Sequence, residues 1–200
     1  MNFCTECGSA VIKSIPEGDN RPRYICSNCN VIHYQNPKTV VGVLPTYKEQ
    51  VLLCKRAIQP RRGFWTLPAG FHELGESTLE GALRECKEET NAEIIEPTLY
   101  AIFDIPQISQ VYVFFRGEIK SKNFGPTEES LEVQLFNEEE IPWHEIAFPM
   151  VEVTLDRYFL DRSKHAFPVF REEIRRPWKS KRLIQQLSLI HISEPTRPRL

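Results

Sequence analysis

The stretch Gly70 to Ala92, GFHELGESTLEGALRECKEETNA, decides how this chain folds. Glu85, Glu88 and Glu89 stand at i, i+3 and i+4, a spacing that projects them from one side of a helix. Leu79, Ala82, Leu83 and Cys86 recur with the same period, about half a turn or more away, and are expected to form the buried stripe. Ser77, with Glu80 three residues on, has the pattern of a capping box that starts the helix. At its far end Asn91 tolerates the left-handed conformation that terminates one. A loop from Gly70, a capped helix and a carboxylate cluster on the open face together describe a divalent-metal site.

Glu85 and Glu89 are like charges one turn apart, which costs roughly 0.2–0.5 kcal/mol on an isolated helix. Hard oxygen ligands placed this way suit Mg²⁺ or Mn²⁺, which bind few carboxylates and share the rest of their shell with water and substrate phosphates. A solvated, Glu-rich face with an Arg84–Glu88 ion pair is the plain alternative. Gly70 and Glu76, at fixed distances ahead of the Arg-Glu-x-x-Glu-Glu core, favour the metal.

These residues resemble the Nudix box, G-x5-E-x7-R-E-U-x-E-E-x-G-U with U apolar. Gly70, Glu76, Arg84, Glu85, Glu88 and Glu89 match it. Cys86 stands at an apolar position and Asn91 replaces the closing glycine. Buried cysteine behaves as a small hydrophobe, and asparagine tolerates the same backbone conformation as glycine. The resemblance implies hydrolysis of a nucleoside diphosphate linked to another group. It also implies roles. Glu85 and Glu89 are the principal metal ligands, Glu88 is a ligand or the base, and Arg84 orients the cluster. Gly70 lends its carbonyl, and Glu76 anchors the loop to the helix through Arg84. A further carboxylate from a loop beyond the box is expected, with Glu128, Glu129 and Glu132 as candidates.

The six cysteines divide into four plus two. Cys4 with Cys7 and Cys26 with Cys29 are two C-x-x-C knuckles, each presenting a pair of thiolates, which suits tetrahedral Zn²⁺. A reducing compartment argues against disulfides, and the doubled motif against a redox pair. His33 is expected to be a bystander. Cys54 and Cys86 fall within apolar patterns and are expected to be buried, inert thiols.

Outward from these motifs, residues 1–36 are expected to be a zinc ribbon, too small for a core and held by its metal. The Nudix domain is expected over 37–160. Asn36-Pro37 marks the joint, because the residue before proline is pushed to an extended conformation. Patterning predicts strands at Thr39–Leu44, Gln50–Arg56, Leu99–Ile105, Val111–Ile119 and Leu131–Phe136, with an amphipathic helix at Val151–Leu160. Gly63 to Gly70 is an irregular apolar run. Strands on both sides of a helix fit an α/β fold, an α/β/α sandwich, which the Nudix resemblance also implies. Residues 161–200 read as a basic, solvated tail. Its last part, LSLIHISEPTRPRL, resembles the translation of sequencing-adapter DNA and is expected to be a non-native extension.

Two hundred residues, 41% hydrophobic with a net charge of −2, suffice for one good core and give no global attraction to nucleic acid or anionic membranes. The ribbon lacks the aromatic and basic density of a nucleic-acid platform. Neither a nucleic-acid nor a membrane partner is expected. No apolar run has the length of a membrane span, and Cys4 so near the start leaves no room for a leader, so a cytoplasmic location is expected. A homodimer is left open.

A zinc ribbon before a Nudix domain is shared by NADH pyrophosphatases and by certain ADP-ribose/FAD pyrophosphatases. The first group carries a run like S-Q-P-W-P-F-P after its box, where this chain has Glu96-Pro97-Thr98-Leu99-Tyr100. QNPKTVVGVL, VLLCKRAIQP, GFWTLPAGF and FDIPQISQVYVFF resemble the second group, and Pro106 fits it. The substrate expected by resemblance is FAD, giving FMN and AMP, or ADP-ribose, giving AMP and ribose 5-phosphate. An NADH/NAD-type pyrophosphatase is the alternative, with a non-catalytic RNA- or protein-binding module behind it. Arg56, Arg61 and Arg62 could grip the diphosphate, since guanidinium matches phosphate bidentately. Trp65, Phe64, Phe71, Tyr112 and Phe114 are candidate pocket aromatics. Arg56, Arg61, Trp65 and Glu129 are the substrate contacts this reading selects.

Overall fold

The structure, a computed structural model, describes residues 1–175. They fall into two compact units, one of Met1–Pro37 and one beginning at Lys38.

In the first unit three short strands, β1 (Val11–Ser14), β2 (Arg23–Cys26) and β3 (Ile32–His33), pair antiparallel in that order. A turn at Glu17 to Asn20 joins β1 to β2, where the Asp19 carboxylate accepts from the Asn20 amide and pairs with Arg23 at 2.9 Å. Cys4 and Cys26 are buried, while Phe3, Ile12, Ile15 and Tyr34 are exposed. So small a sheet buries no apolar core of its own, as its length demands.

The second unit is a mixed sheet between two helices. Its strands are β4 (Lys38–Tyr47), β5 (Gln50–Arg56), β6 (Trp65–Thr66), β7 (Ala69–Phe71), β8 (Ile94–Ile105), β9 (Gln110–Ile119), β10 (Ser130–Phe136) and β11 (Phe170–Glu173). The helices are α1 (Thr78–Thr90) and α2 (Pro149–Ser163). The order β10-β5-β4-β9-β8-β11 runs across the sheet. Side chains alternate between the two faces of a strand, and the cores sort accordingly. Val41, Val43, Leu52 and Phe115 pack with Ala82 and Cys86 of α1. Their neighbours Leu44, Val51, Leu53 and Phe114 pack with Leu155, Tyr158 and Phe159 of α2. Both faces being covered is why these strands read as continuous apolar runs.

β4 and β5 pair only at Thr46↔Val51 and Tyr47↔Gln50 and then diverge. Into the gap come β7, paired with β4, and β6, paired with β5. Gly63 to Gly70 is therefore not irregular throughout. Its paired segments are two and three residues long, too short for a period to show. Gly42 is required here, because a Cβ at that position would overlap Ala69, Pro68 and Phe114.

The reading of everything after residue 160 as a solvated tail is corrected. α2 continues to Ser163, and β11 adds a strand to the sheet, parallel to β8. β11 alternates exposed Arg171 and Glu173 with half-buried Phe170 and Glu172, so its polarity hid an edge strand. Arg176, Lys179, Lys181, Arg182 and the LSLIHISEPTRPRL segment lie outside the described residues. Among the described residues no helix is long and apolar enough to cross a membrane.

Candidate active site

Helix α1 positions most of the site, and its ends are capped as its sequence requires. The Ser77 hydroxyl accepts from the Glu80 amide at 3.2 Å, and the Glu80 carboxylate accepts from the Ser77 amide at 2.8 Å. Asn91 ends the helix at φ 58°, with its amide on the Lys87 carbonyl. The buried face differs from the expected stripe. Glu85 and Glu89 are only 9% and 5% exposed, whereas Leu79 and Leu83 are half-buried. Glu89 lies one heptad beyond Ala82, and seven residues return a helix to within about 20° of the same direction. Both therefore point at the sheet. Of the three box glutamates after Arg84, only Glu88 is exposed.

Arg84 ties the loop to the helix. Its Nε and Nη2 donate to the two oxygens of Glu76 at 3.0 and 2.8 Å, a bidentate pair. Nη1 donates to Glu85 at 2.8 Å and Glu88 at 3.0 Å, and Nη2 reaches the Phe71 carbonyl. These hydrogen bonds, with one from the Glu73 amide, hold the Glu76 carboxyl down at about 2. Glycine is needed at two places. A Cβ on Gly70 would fall on the Glu85 carboxyl, and one on Gly81 would meet Glu76. The Gly81 requirement was missed in the sequence, where nothing distinguishes it from a helix-weakening glycine.

Glu89 is held differently. Its Oε2 accepts from the Ala69 amide at 3.0 Å and lies 3.6 Å from the Cys54 thiol. Burial pushes the Glu89 carboxyl up to about 7 and raises Glu85 as well. Burial, reinforced by the Glu89 charge, pushes the Cys54 thiol well above its usual range. Cys54 and Cys86 are buried, with the Cys86 thiol pushed up to about 12 by burial.

These carboxylates border a cavity of about 630 Å³. Arg56, Gly70, Arg84 and Glu129 share its polar side, while Ile105, Ile108, Tyr112, Phe148 and Ile174 make an apolar side. Of the candidate loop carboxylates, Glu129 lines it; Glu132 instead pairs with Lys55 at 2.8 Å. Arg56 lines it too, with its guanidinium 5.2 Å above Phe148 and Nε donating to the Pro60 carbonyl. Two expected substrate contacts are corrected. Trp65 is a core residue, 5% exposed and edge-on to Phe136 at 4.9 Å. Arg61 is exposed outside the cavity, stacked over Phe64 at 5.3 Å. Tyr112, Phe114 and Phe71 do line it. Ile105, Ile108, Phe148 and Ile174 carried no motif, since isolated apolar residues read as core whichever surface they meet.

In the first unit the Sγ atoms of Cys4, Cys7, Cys26 and Cys29 lie within 4.8 Å of one another. Cys7 and Cys26 approach to 3.4 Å, and Cys4 and Cys29 to 3.7 Å. His33 is not part of the group. Among the described residues the carboxylates form no cluster that tight, because Arg84 draws Glu85 and Glu88 to itself while Glu89 turns to Ala69.

Comparison with known proteins agrees with this geometry. The family model for the NUDIX domain matches residues 36–155, and a zinc-ribbon model described as Nudix N-terminal matches residues 2–35. A NUDIX hydrolase crystal structure from Nitrosomonas europaea is similar, with a TM-score of 0.84 and 51% identity, covering 87% of this chain and 99% of that one. An NAD-capped RNA hydrolase, NudC, of Pseudomonas fluorescens is 28% identical over 170 residues, 84% of this chain and 59% of that protein. An ADP-ribose pyrophosphatase of Methanocaldococcus jannaschii is 32% identical over 97 residues, 44% of this chain and 57% of that protein. The chain spans about half the length of the curated relatives it matches, 47% for NudC of Photobacterium profundum.

Proposed function

The chain belongs to the Nudix family, and from that premise we propose that it hydrolyses the diphosphate bond of a nucleoside diphosphate derivative. One observation carries the reading. Glu89 is buried at the cavity wall and contacts an amide and a thiol, with no ion pair among the described residues. A buried charge is costly unless compensated, and a divalent cation supplies that compensation.

The residues fit such a cation. All the donors are hard oxygens, and glycine at 70 leaves the Glu85 carboxyl against the backbone where a Cβ would otherwise sit. Glu85, Glu88, Glu89 and the Gly70 carbonyl would hold Mg²⁺ or Mn²⁺. When bound, the cation polarises the diphosphate and makes its attacking water more acidic. The chain's own groups do the rest. Arg84 holds Glu85 and Glu88 in register, and Glu88 serves as a ligand or takes the water's proton on a carboxylate oxygen. Arg56 grips phosphate oxygens, Glu129 completes the polar wall, and the apolar side keeps bulk water from the bond. For the first unit the four converging thiolates fit structural Zn²⁺.

Among substrates we place the NAD-type dinucleotides first, correcting the order suggested by sequence. The names of NudC relatives support this, and an ADP-ribose pyrophosphatase among the relatives keeps ADP-ribose as the second reading. The polar Glu96–Thr98 segment after the box favours that second reading. FAD rests on resemblance alone. All share an AMP half, so one site serves them. An RNA whose 5′ end carries NAD presents the same bond, so nucleic acid enters as a substrate arm. The test is AMP or NMN(H) release from NADH, NAD, ADP-ribose, FAD and an NAD-capped RNA with Mg²⁺ or Mn²⁺. Faster turnover of NADH than of FAD supports the order. Free phosphate as the product, or strict preference for a nucleoside triphosphate, would overturn the reading.

A further inference from the structure

The cavity runs well past the carboxylates, and its far wall comes from a segment beyond residue 155, where the family match ends. Cross-strand register gives the width of sheet between β7, which carries Gly70 and Phe71 of the lining, and β11, which leads to Ile174. Phe71 on β7 faces Val40 on β4, Val40 faces Tyr112 on β9, Tyr112 faces Phe103 on β8, and Phe103 faces Glu172 on β11. Four strand-to-strand steps of about 4.8 Å separate the ends, about 19 Å in all. That is far more than a diphosphate occupies. Ile105 lies two residues further along β8 and Ile174 just past the end of β11, and both line the cavity.

The segment that delivers Ile174 is firmly seated. The Ile174 amide donates to the Asp104 carbonyl at 2.9 Å, and the Arg171 guanidinium pairs with the Asp104 carboxylate. Phe170 stands edge-on to Tyr100 at 5.2 Å and to Phe103 at 5.7 Å. Ile174 is 3% exposed. Beside it Gln110 offers an amide, whose oxygen already accepts from the Tyr112 hydroxyl at 3.1 Å. Apolar walls with few polar groups suit an aromatic base better than a sugar phosphate.

We propose that Ile174 is a specificity-determining residue whose side chain packs against the aromatic base of the substrate, at the end of the cavity opposite the carboxylates. This rests on the cavity being the substrate site. AMP and ribose 5-phosphate make the test, because they differ by the base and neither is turned over at a diphosphate. Their dissociation constants are measured by calorimetry on the full chain, for the native protein, Ile174→Val and Ile174→Ala. The native protein is expected to bind AMP more tightly. Ile174→Ala should shrink the AMP to ribose 5-phosphate preference by about ten-fold, the scale of lost apolar contacts in a pocket, with Ile174→Val between. A melting curve shows whether each variant is folded. An unchanged preference in folded Ile174→Ala or Ile174→Val overturns the role of Ile174 alone. Failure of the native protein to bind either ligand overturns the site assignment, and this inference with it.

Discussion

Phe3 and Tyr34 of the first unit are 66% and 65% exposed, while Tyr100, Phe103 and Phe114 of the second are 0%, 0% and 1% exposed. One unit places aromatics in water and gathers four sulfurs within 4.8 Å of one another. The other hides its aromatics between helices and leaves its charged cluster at a cavity. Size accounts for the difference. Thirty-seven residues cannot remove enough apolar surface from water to offset the entropy of folding, so a cross-link must do it. The larger unit has stability to spare, and spends some of it on buried carboxylates.

The contrast breaks most visibly on removal of the zinc proposed for the first unit. Stripping it from the full chain, or replacing Cys26 with Ser, is expected to unfold Met1–Pro37, because structural zinc supplies about 10–16 kcal/mol in small domains. The main calorimetric transition should persist. Loss of both units together would show that they do not rely on separate means. Leu155→Ala works from the other side. Leu155 is fully buried in the α2 core, and truncation there should cost about 2–5 kcal/mol. The measurement is denaturant unfolding with zinc content followed in parallel, and zinc released together with the early unfolding would count against independence.

Glu89→Gln sharpens the comparison within the second unit, with the smallest effect on stability. The Glu89 carboxyl titrates at about 7 in the folded protein against an ordinary 4.5. A raised pKa means that folding favours the protonated form. The penalty is absent below pH 4.5, grows as pH rises toward 7, and is complete above it. Without added Mg²⁺ the Gln variant should therefore be more stable than the native chain at pH 8, by about 1–3 kcal/mol, and no more stable at pH 4. Hydrolysis should be largely lost. A variant less stable at pH 8 would show that burial is not what raises Glu89.

How much of this was legible depends on where the signal lay. α1 announces itself because its caps, Ser77 with Glu80 and Asn91, and its carboxylates lie within one short stretch. The cysteine knuckles are equally local. The depth of Glu85 and Glu89 was misjudged because charged residues are assigned to water by default, although the spacing from Ala82 to Glu89 already pointed inward. β6 and β7 are defined by partners elsewhere in the chain, and Trp65 looks like a ligand contact until its packing on Phe136 is seen. β11 escaped for a different reason. Its residues FREE carry too little hydrophobicity to show a pattern, and only pairing with β8 makes them a strand.

That pairing also has a bearing on how the molecule behaves among its own copies. β8 is twelve residues long, and an unpaired strand of that length and apolar content would offer its backbone to any passing chain. β11 occupies the ladder from Ala101 to Asp104 and turns Arg171 and Glu173 outward. Charged side chains along a sheet margin discourage further strands from adding. The same four residues that lead into the cavity wall thus put a charged margin on that part of the sheet.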